Sequence, residues 1–398
     1  MHKFNLSNIL IILLCLVAAA AALFLGYQLY NSLTFPTTPV IQTSSSTTSS
    51  RQISAVEPVY TTQTIISGLS NPWDMSFITD SIFVYTQRGG EVRLHDLASG
   101  EDWLLVRPED VYVRGEGGML GALVDVDFSE NQYIYTCMNV TGPSVKVIRW
   151  QLTTDLKRIA ERKDIITGLP SNASGRHSGC RMDMNQTGHL WVGTGDTAIG
   201  AYPQDPLNLG GKVLRVDRDG NGVDGNLSDP FDPRIFSYGH RNVQGITLFE
   251  QPINGVFGFT SEHGPDRDDE INLLVQGNFG WDPVPGLYNE EVPMTDLAKF
   301  PTAISAIWSS GFPTVALSGM TIVGGEQWLA WEGAVLTAAQ KGSHVRLQRY
   351  DADWNLVRDD LILKDYGRIR TVVQSPEGDI YFLTDNGGGK DLIVQIVL

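Results

Sequence analysis

The chain has 398 residues, is 42% hydrophobic and 9% aromatic, and carries a formal net charge of −16. That is apolar enough for an ample core, and too acidic for a nucleic-acid partner or an anionic membrane surface. Length alone would permit two domains.

Met1-His-Lys precedes an uninterrupted apolar run of 18 residues, Ile9 to Gly26. A run of that length just spans a bilayer. The expectation is an N-terminal transmembrane helix or uncleaved signal within residues 9–30, with residues 1–8 as a short cytoplasmic end. A cleavable signal peptide is the rival, with Ala18 to Ala22 as its processing region. Either way the rest of the chain is exported. Residues 31–55, which include the Ser/Thr-rich stretch Thr37 to Ser54, read as a spacer. Residues 56–398 read as one folded body.

That body is organised by a short strand that ends in threonine and recurs. Its copies are Ile82–Thr86, Tyr133–Thr136, Leu190–Thr194, Val256–Thr260, Gly333–Thr337 and Ile380–Thr384. A polar turn and another short apolar segment precede most of them: Trp73–Phe77, Leu123–Phe128, Met182–Met184, Ile246–Phe249, Met320–Val323 and Thr371–Gln374. Each unit therefore starts as an antiparallel hairpin. Six units at a spacing of roughly 45 to 80 residues predict an all-β fold, a six-bladed β-propeller. Tyr60 to Ile66 alternates like a strand but precedes the first hairpin. It is expected to pair with the last unit and close the ring, which removes the exposed sheet edge.

In an antiparallel pair the start of the first strand lies beside the end of the second. Residues before each first strand and after each threonine therefore share one face of the ring. Glu116, Arg176, His177, Arg241, Asn242, Arg368 and Arg370 fall before first strands. Asp196, His263, Gly264, Pro265, Lys341 and Asp385 fall after threonines. Against the acidic background, this Arg/Lys cluster marks a candidate site.

The loops differ in what they offer. Gly115-Glu-Gly-Gly-Met-Leu-Gly121 is glycine-rich but lacks the Lys-Ser/Thr and helix of a phosphate loop. Close backbone approach to a flat ligand, or plain turn geometry, suits it better. His177 sits in a Gly/Ser-rich loop on the common face, which gives a catalytic role equal weight with a structural one. Asp217-Arg-Asp-Gly-Asn-Gly222 starts like a calcium loop, but Ser228 stands where the bidentate Glu would be, so a turn is expected. Gly264 and Pro265 present carbonyl oxygens in a rigid turn beside carboxylates, and hard oxygen donors suit Ca²⁺. Cys137 and Cys180 fall at the same end of neighbouring units. In an exported protein they pair or remain two separate thiols.

These motifs, in this order, resemble the soluble pyrroloquinoline quinone (PQQ)-dependent glucose and aldose sugar dehydrogenases. They are Asn71-Pro-Trp, Gly115-Glu-Gly-Gly-Met-Leu-Gly, His177 with Arg181, Leu209-Gly-Gly-Lys-Val-Leu-Arg, Gly239-His-Arg-Asn-Val-Gln-Gly, Glu262-His-Gly-Pro-Asp with Asp269-Glu-Ile-Asn, Gly280-Trp and Gly367-Arg-Ile-Arg. The resemblance runs from about Gly68 to the C terminus. It implies a propeller that binds PQQ and Ca²⁺ and oxidises the C1 hydroxyl of an aldose to a lactone, passing electrons to an unidentified acceptor. By motif, His177 matches the general base and Arg241 the arginine beside the quinone C5 oxygen. The carbonyls of Gly264 and Pro265 match the calcium ligands. Glu116, Asn242, Lys341, Arg368, Arg370 and Thr384 match cofactor contacts. Three positions depart from the glucose-specific members: Arg176 replaces Asp, Thr197 replaces Gln and Glu116 replaces Gln. These departures weaken the implication of glucose specificity and, to a lesser degree, that of PQQ affinity; the sugar is not named by the sequence. Two other functions fit a six-bladed ring. One is a non-catalytic sugar- or protein-binding propeller of the same family. The other is a calcium-dependent lactonase, which the Arg- and His-rich face disfavours.

Overall fold

A computed structural model describes residues 56–142, 144–283 and 288–398. The expected N-terminal transmembrane helix lies outside the described residues. Among them, no helix is long and apolar enough to cross a membrane.

Six antiparallel sheets follow one another along the chain. Blade one comprises Pro72–Phe77, Ile82–Gln87, Glu91–Asp96 and Asp102–Val106. Blade two runs from Met119 to Pro170, and blade five from Leu317 to Ile362. The first strands of successive blades touch in cyclic order, and the first strand of blade six (Ile369–Gln374) returns to that of blade one. The six Thr-ended segments are the second strands, as expected. Their threonines are buried, and two of them bond the chain that follows: Thr86 Oγ1 donates to Leu120 O at 2.5 Å, and Thr194 Oγ1 to Leu209 O at 2.7 Å.

Strand alternation builds the core between blades rather than within them. In Ile82–Gln87, Val84 packs toward blade two, while Phe83 and Tyr85 pack toward blade six. One such cluster lies between each pair of neighbours, for example Trp191, Val213 and Phe236 of blade three with Val243, Ile246 and Leu274.

The ring closes as predicted: Thr61–Leu69 pairs antiparallel with Asp391–Val397. The fully buried Asp391 clasps both ends of the body. Its carboxylate accepts from Asn71 N at 2.9 Å, Gly387 N at 2.8 Å and Thr384 Oγ1 at 3.0 Å. A disulfide, Cys137–Cys180, ties the second strand of blade two to the start of blade three. Of the two readings open in the sequence, the paired one holds.

Two blades depart from the repeat. Blade three gains a parallel edge strand, Gly277–Asn278, and blade four takes Trp308–Ser309 as its outer strand. The chain between these strands makes a long excursion from the edge of one blade to the edge of the next. That excursion carries Trp281, Tyr288 and Glu290 to the face where the loops converge.

Candidate active site

His177 is held from three sides. Its loop precedes the first strand of blade three, Arg181–Met184, and runs against the glycine loop of blade two. A Cβ on Gly175 would lie 1.8 Å from Arg114 O, so only glycine permits the contact. The glycines of Gly115–Gly121 thus serve close approach to a neighbouring loop. That approach lets the Glu116 carboxylate accept the His177 amide at 3.1 Å.

The imidazole is 3% exposed and its Nδ1 lies 2.7 Å from Asp196 Oδ1. Asp196 is fully buried and also accepts from Trp281 Nε1 at 2.7 Å and Tyr288 Oη at 2.8 Å. Burial alone would raise its carboxyl. The charges of His177 and Arg241, with bonds from His177 and Trp281, outweigh burial and hold it below the usual carboxylate range. A carboxylate can only accept, so Nδ1 carries a proton, and in the neutral ring the lone pair is on Nε2. Nε2 meets the Arg176 guanidinium at 3.5 Å. Tyr288 cannot compete for the proton. Burial, then the Asp196 charge, pushes its phenol far above the usual range.

Arg241 opens blade four. Its amide donates to Glu262 Oε2 at 2.8 Å and its guanidinium to His263 O at 3.0 Å. Glu262 is positioned in turn by His240 Nδ1 at 3.0 Å, and His240 Nε2 by Ser237 Oγ at 2.9 Å. This Ser-His-Glu chain is buried throughout, so it serves Arg241 and not a nucleophile. Glu290 bridges the arginines, contacting Arg241 and, at 3.2 Å, Arg176. The Arg241 carbonyl accepts the Asp196 amide at 2.8 Å, which joins the two halves of the site.

Beside them, at the channel mouth, lies a cavity of ≈ 200 Å³. Glu116, Arg88, Arg368 and Arg370 line it, with Trp73, Gln244 and His263. Arg370 is tethered to Asp385 at 2.5 Å and Arg368 to Gln340 at 2.6 Å. Burial, then repulsion from Arg241 and Arg370, pushes His263 down to about 3, so it is neutral. Buried donors are left over at this face. Among the described residues, Arg241 Nε, Asn242 Nδ2 and Arg370 Nε have no partner. Spare donors and three arginines suit a planar polyanion.

The sequence-predicted residues divide accordingly. Glu116, Arg368 and Arg370 share the cavity, and His177 and Arg241 meet through Asp196 and Glu290. Asn242 lies beneath, where its Oδ1 accepts Gly179 N at 3.2 Å. Lys341 stands apart, exposed and bonded to Thr314 Oγ1. Thr384 also stands apart: its hydroxyl is fully buried and occupied by Asp391, in the ring closure rather than the cavity. Gly264 and Pro265 form a tight turn. The Gly264 amide donates to Asp269 Oδ1 at 2.9 Å, and a Cβ there would lie 1.8 Å from Arg267 O. Among the described residues no hydrogen-bond donor reaches either carbonyl oxygen. Two free carbonyls suit a hard cation but are fewer than the six to eight oxygens that Ca²⁺ takes.

The glucose / sorbosone dehydrogenase family model matches residues 69–395. The chain belongs to that family. It is 29% identical over 351 residues to aldose sugar dehydrogenase YliI of Escherichia coli (strain K12), covering 82% of this chain and 90% of the relative. It is 26% identical to quinoprotein glucose dehydrogenase B of Acinetobacter calcoaceticus, covering 81% and 85%. The apo-form of the soluble aldose sugar dehydrogenase from Escherichia coli superposes with a TM-score of 0.75 at 25% identity, covering 85% of this chain and 99% of that one.

Asp196, Tyr288, Glu290 and Arg88 join the candidate site; the sequence places Asp196 and Arg88 on this face but assigns none of the four a role. Asp196 was accessible, because it follows a Thr-ended strand directly. Tyr288 and Glu290 lie in the excursion outside the repeat, where no periodicity points to them. The geometry predicts that nitrogen NMR of His177 shows the Nδ1–H tautomer at pH 8. Asp196→Asn should shift the ring toward a mixture of tautomers. An Nε2–H tautomer in the wild type would contradict the arrangement.

Proposed function

We propose that the chain is a PQQ- and Ca²⁺-dependent aldose dehydrogenase that oxidises the C1 hydroxyl to a lactone. The observation that carries this reading is His177, held through Nδ1 by Asp196, next to a cavity lined by three arginines. PQQ would be held through its carboxylates by Arg88, Arg368 and Arg370. Ca²⁺ would be held in part by the carbonyls of Gly264 and Pro265. When bound, the cofactor supplies the two-electron acceptor for the C1 hydride, and Ca²⁺ polarises it.

The chain's own residues do the rest. His177 Nε2 takes the C1 hydroxyl proton as the general base. Asp196 keeps the base in the working tautomer and stabilises the imidazolium that forms, and Arg241 and Trp281 help keep Asp196 ionised. Arg241 offers a guanidinium to negative charge that develops nearby, and Glu262 fixes the backbone that carries it. Glu290 limits the free charge of Arg241 and pairs Arg176 at the mouth. This Arg176–Glu290 pair replaces the anionic position of glucose-specific relatives, which points to aldoses other than glucose.

We also infer that residues 9–30 anchor the chain, with the propeller on the outer side of the membrane. The apolar run supports an anchor, and a disulfide suits an oxidising compartment. The expressed protein should remain in the membrane fraction with its N terminus intact. Recovery of a soluble form starting near residue 23 would show a cleaved signal instead.

His177→Gln should keep PQQ binding and lose at least about 10²-fold in kcat, the low end of general-base contributions. Arg368→Ala should instead weaken cofactor binding through a lost charge-assisted contact. Steady-state kinetics and PQQ titration separate the two. Normal sugar oxidation by His177→Gln would remove the mechanism and leave the family assignment standing.

A further inference from the structure

His177 heads a turn, His177-Ser-Gly-Cys180, whose backbone runs against the preference of its side chains. His177, Gly179 and Cys180 lie in the left-handed region, with φ of 50°, 60° and 81°. Only one of these is glycine. Other residues persist at such angles only where their surroundings hold them there. Close packing supplies part of that hold. A Cβ on Gly179 would lie 2.6 Å from Thr194 Cα, and one on Gly121 of blade two would collide with Cys180 O.

The rest comes largely from the second strand of blade two, Tyr133–Val140. Its side chains alternate between two neighbours. Ile134 and Met138 pack toward blade one, while Tyr135 and Cys137 join the cluster that holds Met182 and Leu190 of blade three. Cys137 forms the disulfide with Cys180. Asn139, two residues further along, is 1% exposed, and its Nδ2 donates to Ser178 Oγ at 3.1 Å and to Ser171 Oγ at 3.0 Å. Its Oδ1 accepts Gly118 N at 3.2 Å, which ties the glycine loop to the same node. One strand face therefore grips Ser178 and Cys180, on either side of Gly179.

Glycine would be the unstrained residue at φ 81°, yet the chain has cysteine there. What cysteine adds is the cross-link, the one disulfide among the described residues. Both of its cysteines are buried, which suits a permanent tether rather than an exchanging pair. Beyond Cys180 the chain is anchored separately, since Arg181 Nε donates to Gln244 O at 2.8 Å and its guanidinium pairs with Asp74. The tether thus lies between a fixed strand and the histidine.

We infer that Cys137, through its disulfide to Cys180, and Asn139 are positioning residues for His177. They hold the turn in the left-handed geometry that brings the ring Nδ1 to Asp196. The effect on turnover rests on the reading of His177 as the general base; the effect on the ring does not.

The test compares the full chain with Cys137→Ala/Cys180→Gly, which removes the tether and puts glycine at the strained φ. A disulfide also restricts the unfolded chain, so the variant should melt lower whatever the tether does for the site. Two further readouts separate positioning from stability, both taken where the variant is fully folded. Nitrogen NMR of His177 at pH 8, without cofactor, should show a mixture of tautomers in place of the Nδ1–H form. After loading with PQQ and Ca²⁺, kcat should fall at least about 10-fold, because a small displacement of a catalytic group is costly. PQQ affinity should stay within about 2-fold, since the cavity arginines come from blades one and six. A lower melting temperature with unchanged tautomer and kcat would overturn the inference. If the double variant does not fold, Ser178→Ala decides: it keeps the disulfide, removes the Asn139 bond and should shift the tautomers in the same direction, and an unchanged ring would overturn the inference. A wild type that oxidises no aldose would sink the dehydrogenase reading alone, because the NMR comparison needs neither sugar nor cofactor.

Discussion

The structure depends on closing a ring. A propeller blade cannot bury both of its faces alone, so each cluster of the core belongs to two neighbours, and the first and last blades must meet. Here the meeting is made by one strand from each end of the body, Thr61–Leu69 and Asp391–Val397. The buried Asp391 adds a clasp, since its carboxylate binds the backbone at Asn71 and at Gly387. Without that pairing, the cluster containing Phe83, Tyr85, Tyr381 and Leu383 would face water.

Closure matters for function because the site belongs to no single blade. His177 comes from blade three, Arg241 from blade four, Arg368 and Arg370 from blade six, and Glu116 from the loop that opens blade two. Distances between these groups are set by the packing between blades. The finer adjustment is local. Asp196 selects the tautomer of His177, and Glu262 holds the Arg241 amide. Lys212 is buried and donates to the carbonyls of Tyr202, Pro203 and Gly210, which pins the loop that follows Asp196. Burial, opposed by Asp205 and Asp196, brings the Lys212 pKa down to about 7, a measure of how dry that loop base is.

Much of this was legible in the sequence, for a physical reason. Period-two alternation and a repeated threonine mark strands whatever their partners, and antiparallel geometry then assigns the polar residues to one face. That logic located His177, Arg241, Arg368 and Arg370, and it predicted the pairing of the N-terminal strand. It failed where a residue's partner lies outside the repeat. Tyr288 and Glu290 reach the site on an excursion whose course depends on the edges of blades three and four. Thr384 carries the same pattern as its five counterparts, yet its hydroxyl is taken by Asp391, at the start of the next strand of the same blade. The glycine loop at 115–121 announced a close approach, but not that its partner includes the backbone at Ser174 and Gly175.

The central claim is that His177 and the arginine-lined cavity together serve removal of hydride from C1 of an aldose. The most direct measurement is a single turnover under anaerobic conditions. The protein is loaded with PQQ and Ca²⁺, mixed with an aldose carrying either hydrogen or deuterium at C1, and followed by the absorbance of the oxidised cofactor. The account predicts loss of that absorbance by one equivalent of sugar, slower with deuterium, and slowed strongly in both cases by His177→Gln. A loaded protein whose spectrum is unchanged by a panel of aldoses would contradict it.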